Sequence, residues 1–268
     1  MPESHTKTDT NSDSSRPWPG TPGDWVEDLR LAAGFLTRLP LAPSADRPLA
    51  QAARVFPLVG AALGLAAGLI YGLAAALGLP SMLAAVVTLA GLIAATGALH
   101  EDGLADSADG LGGGATAKDK LAIMRDHHIG AYGVIVLILG LLARVGALAA
   151  LAEPALVLAA LVTAGAASRA ALPPVMLRLP LARGDGLASS AGSPGQRDVI
   201  IGGGIALVIA IIALDFTTAL AALIMAALAA FAVTALARRQ IGGYTGDILG
   251  AVQQAAEIAI LFTLVALS

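Results

Sequence analysis

Residues 100–110 read His-Glu-Asp-Gly-Leu-Ala-Asp-Ser-Ala-Asp-Gly. Asp102, Asp106 and Asp109 stand at i, i+4 and i+7, and at the helical period they fall within roughly 60° of one another. Three carboxylates on one face repel each other unless a cation sits among them. Hard oxygen ligands suit Mg²⁺, with Mn²⁺ as a substitute, and such sites usually share the metal with substrate phosphates. Gly103 and Gly110 allow close backbone approach. The spacing therefore predicts a metal–phosphate site, rather than a solvated acidic helix end, with the three aspartates as ligands and catalytic groups.

Further polar residues collect in two other segments. In IMRDHHIGAYG (123–133), Arg125 offers a bidentate grip on a phosphate. Asp126, His127 and His128 are chemically able to bind metal or move protons, although adjacent loop histidines are more often solvated. Lys118 and Lys120 add positive charge, and Lys120 is taken as a substrate-binding candidate. GGYTGDILGAVQQAAE (242–257) begins with a glycine-rich turn, after which Thr245 and Asp247 present oxygens. Asp247, Gly250, Gln254 and Glu257 then share one helical face. A polar stripe entering an apolar segment is costly against lipid, so it should face the bundle interior. Thr245, Gln254 and Glu257 are thus candidate pocket residues, and Asp247 joins the catalytic candidates as a group able to take a proton. The 177–198 loop carries Arg178, Arg183, Asp185, Ser189 and Arg197, a set suited to clamping a bulky anion.

The elements that must position these residues are membrane helices. Of 268 residues, 57% are hydrophobic and 13% charged, and the mean hydropathy is +0.79, which is membrane composition. Apolar segments at about 57–77, 81–99, 130–152, 154–176, 199–214, 217–236 and 247–267 approach the ~20 residues a helix needs to cross a bilayer. The expected fold is all-α: a polytopic bundle of about seven transmembrane helices with an acidic site on one face. Ala, Gly and Leu dominate the spans and permit close packing, which is also compatible with a homo-oligomer. There is no cysteine, hence no disulfide or thiolate site.

Charge orients the spans. All Lys and Arg except Arg144 and Arg169 lie before the first span or in the connections after the second, fourth and sixth. The opposite connections carry none. The positive-inside rule then puts the N-terminus, the long loops and the aspartate site in the cytoplasm, with the C-terminus outside. Residues 1–24 read as a disordered polar tail without the apolar core of a signal peptide. Residues 25–55 read as an amphipathic interfacial helix and connector, with Asp24 as cap, Glu27 completing a capping box, an apolar stripe through Trp25, Leu29, Ala32, Leu36 and Leu39, and Pro40 as the stop. Residues 56–268 form the transmembrane catalytic domain.

Arg144, Arg169 and Glu257 lie inside spans. At ~1.5 Å per residue, Glu257 is roughly 15 Å from the edge near residue 247, and Arg169 roughly 12 Å from the edge near 177. Arg144 lies near 21 Å and has room to snorkel outward. Depth therefore pairs Arg169 with Glu257; the alternative is that each charge lines a water-filled substrate cavity separately, and Arg169 is on that account a substrate-binding candidate.

FLTRLPL (35–41), FPLVG (56–60), HEDGLADSADG, IMRDHHIGAYG, SRAALPPVM (168–176) and GGYTGDILGAVQQAAE occur in this order. On these motifs the chain resembles the cobalamin synthase family, the adenosylcobinamide-GDP ribazoletransferases. The resemblance implies an integral enzyme of a prokaryotic cytoplasmic membrane that joins adenosylcobinamide-GDP to α-ribazole or its 5′-phosphate, releases GMP and uses Mg²⁺. Its implied partners are those substrates and the bilayer, not nucleic acid. A CDP-alcohol phosphotransferase also leaves a nucleoside monophosphate, but it usually has an Ala-Arg pair where this chain has Ala105-Asp106. A transporter would explain the intramembrane charges, yet a carried solute must also leave through the opposite face, which lacks basic residues.

Overall fold

The computed structural model describes residues 21–41 and 47–268, so most of the expected tail lies outside the described residues. Among the described residues the chain forms α-helices and one 3-10 turn, with no strand. Helix α1 is Pro22–Leu36, the 3-10 turn is Leu49–Val55 and α2 is Phe56–Ala76. They are followed by α3 (Ser81–Thr96), α4 (Leu99–Gly113), α5 (Ala117–Ile123), α6 (Ala131–Leu151) and α7 (Pro154–Ala170). The remainder are α8 (Leu172–Arg178), α9 (Leu187–Ala191), α10 (Gln196–Ala213), α11 (Phe216–Ile241) and α12 (Gly246–Leu267).

Six stretches are long and apolar enough to cross a membrane, and up to seven if α3 and α4 count as one broken span. The protein is a multi-pass membrane bundle. Its span boundaries follow the hydropathy pattern closely, with one informative exception. The acidic motif lies on a helix of its own, α4, set at an angle to the span before it. Gly97 and Ala98 both adopt left-handed backbone, with φ of 65° and 59°, and the chain bends by 88° into α4. The bend takes α4 out of the spanning direction and across the end of the bundle that carries most of the basic residues. Outside glycine, left-handed backbone is costly, so Ala98 marks a turn held by its surroundings. The Arg38 amide donates to the Ala95 carbonyl at 2.8 Å and docks the 37–41 segment on this turn.

Close helix contacts rest on glycine. A side chain at Gly60 would run into the backbone of Gly165, and one at Gly64 into Leu161. That lets α2 and α7 form the tightest pair in the bundle, because the missing side chains bring backbones together where lipid offers no hydrophobic drive.

Helix α1 differs from the expected helix at both ends. Thr21 is its cap, and the capping box is completed by Asp24 rather than Glu27. It stops at Leu36, before Pro40, and Leu39 is exposed. Ala32 and Leu36 are buried, and so is Asp28. Asp28 pairs with Arg54 of the 3-10 turn at 2.8 Å, and the Arg54 guanidinium lies 4.2 Å from the Trp25 ring centroid. These contacts fasten α1 to the start of the first span.

Candidate functional site

The geometry of the site begins where α4 crosses α12. A Cβ on Gly103 would lie 2.9 Å from the Asp247 carbonyl oxygen, and one on Gly250 would lie 3.0 Å from the Gly103 Cα. Only paired glycines permit this approach, which sets Asp102 and Asp106 beside Asp247. Thr245 caps α12, accepting from the Ile248 amide at 3.3 Å, and its hydroxyl donates to Asp247 Oδ2 at 3.0 Å.

A loop between α8 and α9 completes the arrangement. The Tyr244 amide donates to the Pro180 carbonyl at 3.0 Å and the Ala182 amide to the Tyr244 carbonyl at 2.9 Å. This short bridge brings Arg183 within 3.2 Å of Asp247 Oδ2. The same loop offers Asp185, which pairs with Arg125 at 2.6 Å.

Asp102, Asp247, Arg183, Asp185 and His100 share a cavity of about 270 Å³. Its other wall is apolar, built from Phe35 and Leu36 of α1, Leu49, Phe56, Leu172 and Met176, with Leu187 and Ala188 of α9. The cavity is thus acidic on one side and apolar on the other. His100 is 3% exposed, and its Nε2 has no hydrogen-bond partner.

The three aspartates of the motif occupy different surroundings. Asp102 is exposed and lines the cavity. Asp106, on α4 outside the spanning segments, has its carboxyl pushed up to about 7 by burial and by the charges of Asp102, Asp247 and Asp109. Asp109 is buried, and its oxygens accept from the Gly130 amide at 2.7 Å and the Gly133 amide at 2.9 Å. It therefore holds the N-terminus of α6 against α4, a position that favours a carboxylate, where a metal ligand was expected. Among the described residues no three His, Asp or Glu side chains are grouped so that together they could hold a metal ion, so the expected three-aspartate ligand set is not assembled. Mg²⁺ rarely uses an all-protein cage, taking one or two carboxylates plus substrate oxygens and water. Asp102 and Asp106 fit that mode, since a cation would relieve the carboxylate repulsion that adds to burial in raising Asp106.

The remaining expected residues divide into two groups. Arg125 stands at the surface beside Asp185, and Thr245 lies behind Asp247. Lys120 donates to the Leu111 carbonyl at 2.6 Å, which ties α5 to α4. His128 is exposed and bonded to Asp126 at 2.7 Å.

Arg169, Gln254 and Glu257 do not line the cavity. They lie in a buried network next to it. Arg169 Nη1 bonds to Glu257 Oε2 at 3.0 Å, the pairing that depth predicts. Arg144 does not snorkel: it is 2% exposed and bonds to Glu101 at 2.8 Å, with Glu257 Oε1 at 3.5 Å. Gln253 bridges Glu257 at 2.6 Å and Ser168 at 3.0 Å, and Gln254 donates to Gln253 at 2.9 Å and to Glu101 at 3.3 Å. The network ties α4, α6, α7 and α12 together, and its two arginines balance two glutamates. Sequence reasoning missed Glu101 and Gln253 and left Arg144 unpaired. Charge balance was the available signal, because two intramembrane arginines need a second acid besides Glu257.

The sequence that builds this site has relatives among known proteins. The family model for cobalamin-5-phosphate synthase matches residues 28–265. The adenosylcobinamide-GDP ribazoletransferase of Bradyrhizobium diazoefficiens is 50% identical over 239 residues, covering 88% of this chain and 92% of its own. That of Mesorhizobium japonicum is 44% identical over 244 residues, covering 90% and 93%, and that of Brucella ovis is 39% identical over 259 residues, covering 92% and 97%. No solved structure matches. The alignment spans every element that builds the cavity, from the end of α1 to the first turns of α12, and the chain belongs to the cobalamin-5-phosphate synthase family.

Proposed function

We propose that this chain is a membrane-bound transferase acting on adenosylcobinamide-GDP and α-ribazole or its 5′-phosphate, and that the cavity beside the crossing of α4 and α12 is where phosphoryl transfer occurs. The observation that carries the reading is the cavity itself: Asp102, Asp247 and Arg183 face an apolar wall. An anhydride next to organic groups has that polarity. At about 270 Å³ the cavity is near the small end for an organic ligand (~300 Å³), so it holds the reacting part of the substrate and leaves the remainder outside.

In the reaction a ribose hydroxyl attacks the phosphorus nearer the cobinamide. The bond to the GMP phosphate breaks, and GMP leaves. Such transfers depend on positioning and charge neutralisation. Asp102 and Asp106 would hold Mg²⁺, which when bound neutralises charge on the pyrophosphate oxygens. Arg183 Nη1 is buried without a hydrogen-bond partner and is placed to bind a phosphate oxygen. Asp247, held at Oδ2 by Arg183 and Thr245, accepts the hydroxyl proton at Oδ1. Phe35, Leu36 and Leu49 exclude water, which would compete with the ribose as nucleophile.

The basic end of the bundle faces the cytoplasm in this reading, supported by the one-sided distribution of Lys and Arg. The test is turnover by purified protein in detergent with both substrates. The reading expects GMP and the joined product in equal amounts, lost on chelation and restored by Mg²⁺. GMP without the acceptor, or turnover indifferent to chelation, would contradict it.

A further inference from the structure

A second and larger cavity, about 910 Å³, lies on the flank of the bundle between α7–α8, α10 and α11. No residue of the phosphoryl-transfer site lines it. Apart from Thr234 and three arginines its walls are apolar, with Ala167, Ala206, Ala226 and Ala230 among them. Phe231 at its rim is 71% exposed, so the groove is open towards the surroundings of the bundle. Along α11 it runs from Leu223 to Arg239, roughly 24 Å at the helical rise. One leaflet of hydrocarbon is ~15 Å deep, so the groove accommodates an acyl chain lying along the helix with a headgroup beyond its end.

That end is basic. Arg178 at the last turn of α8 and Arg238 and Arg239 at the last turn of α11 line the same groove. Among the described residues none of the three is in an ion pair. Near the first cavity, by contrast, Arg183 faces Asp247 and Arg125 faces Asp185. Two simpler accounts exist for the trio: arginines suit helix C-termini, and they set topology. Neither accounts for three arginines from two helices lining one otherwise apolar groove.

We propose that this groove is a binding site for an anionic phospholipid, with an acyl chain along α11 and the phosphate held by Arg178, Arg238 and Arg239. Basic pockets between membrane helices select anionic headgroups in this way. The site also touches the reaction centre indirectly. Leu179, at its edge, precedes Pro180, whose carbonyl takes the Tyr244 amide. The Arg238 carbonyl takes the Gly242 amide in the turn that leads to Thr245 and Asp247. A bound lipid braces both segments that position Arg183 against Asp247.

The test uses the full chain, stripped of lipid in detergent and exposed to vesicles of phosphatidylcholine alone or an equal mixture with phosphatidylglycerol, with retained lipid counted by native mass spectrometry. The protein should retain phosphatidylglycerol and not phosphatidylcholine. The triple variant Arg178→Gln, Arg238→Gln, Arg239→Gln should retain it about 10²-fold less well. Ala227→Phe, which fills the groove without touching a charge, should also lose it; this single change covers the case in which the triple variant fails to fold. Equal retention of both lipids, or of phosphatidylglycerol by the folded variants, would overturn the proposal. So would displacement of phosphatidylglycerol by GMP or inorganic phosphate at comparable concentration, which would make the groove a substrate site.

Discussion

Removing the charge of Glu257 should destabilise the bundle more than losing its hydrogen bonds alone. Glu257→Gln keeps the side-chain shape. Oε2 currently accepts from Arg169 at 3.0 Å and Gln253 at 2.6 Å, while Oε1 lies 3.5 Å from Arg144. The amide can still make some of these contacts. Hydrogen bonds between membrane helices are worth only about 0.6–2 kcal/mol. What the amide cannot do is balance charge: two buried guanidinium groups would face the single carboxylate of Glu101. Breaking one partner of a buried pair costs about 3–5 kcal/mol, so that term dominates. Arg169→Met should cost a similar amount with the opposite sign of residual charge. The double variant leaves Arg144 and Glu101 as a neutral pair, so its cost should fall below the sum of the singles by about 1–3 kcal/mol. Arg144→Met with Glu101→Gln should couple comparably, given their 2.8 Å contact. Arg169 with Glu101, which are not in contact, should couple less. Equilibrium unfolding in mixed micelles of the four single and three double variants, with helical signal and a second probe coinciding, gives the free-energy changes these cycles need. Additivity within ~0.5 kcal/mol for Arg169 and Glu257, or strongest coupling for Arg169 with Glu101, would refute the network.

Gly103→Ala should lower turnover sharply and reduce stability, because its Cβ meets the Asp247 carbonyl at 2.9 Å; Gly146→Ala, which points into open space, should be neutral or stabilising by up to ~1 kcal/mol, and equal effects in thermal unfolding and turnover would count against the crossing. Arg125→Gln breaks an exposed ion pair and should change stability by at most ~1 kcal/mol, so a large loss of stability in a melting experiment would mean that this pair holds the loop. For sidedness, Lys118→Cys should resist an impermeant thiol reagent applied to intact cells and Thr217→Cys should react, both positions being exposed; the reverse labelling would invert the topology.

The legible part of this fold is what one helix at a time determines. Hydropathy located the spans because each must be apolar along its own length. Spacing put Asp102 and Asp106 on one face, and depth alone matched Arg169 to Glu257. The rest depends on how helices meet. Depth left Arg144 without a partner because Glu257 was the one acid found inside a span. The 88° turn instead carries α4 back across the bundle and buries Glu101 beside Gln254. Asp109 shares the periodicity of its neighbours, but its role follows from the distant Gly130 and Gly133 amides. Arg183 was visible as one of several loop arginines. Its selection requires the bridge between Pro180, Ala182 and Tyr244, which leaves no pattern in local sequence. The Thr21 cap was obscured by an equally plausible capping box three residues later.

The most direct test of the reaction site is single-turnover GMP release by Asp102→Asn, Asp106→Asn and Asp247→Asn, beside Asp109→Asn, at saturating Mg²⁺ with folding checked by melting. The account predicts a loss of at least ~10²-fold in each of the first three, the scale of a lost preorganised electrostatic contact. Their melting temperatures should stay near that of the parent. Asp109→Asn should instead lower the melting temperature, as expected for a weakened helix cap (~1 kcal/mol), and slow turnover less. Near-parental turnover in folded Asp102→Asn, Asp106→Asn and Asp247→Asn proteins would contradict the assignment of the cavity.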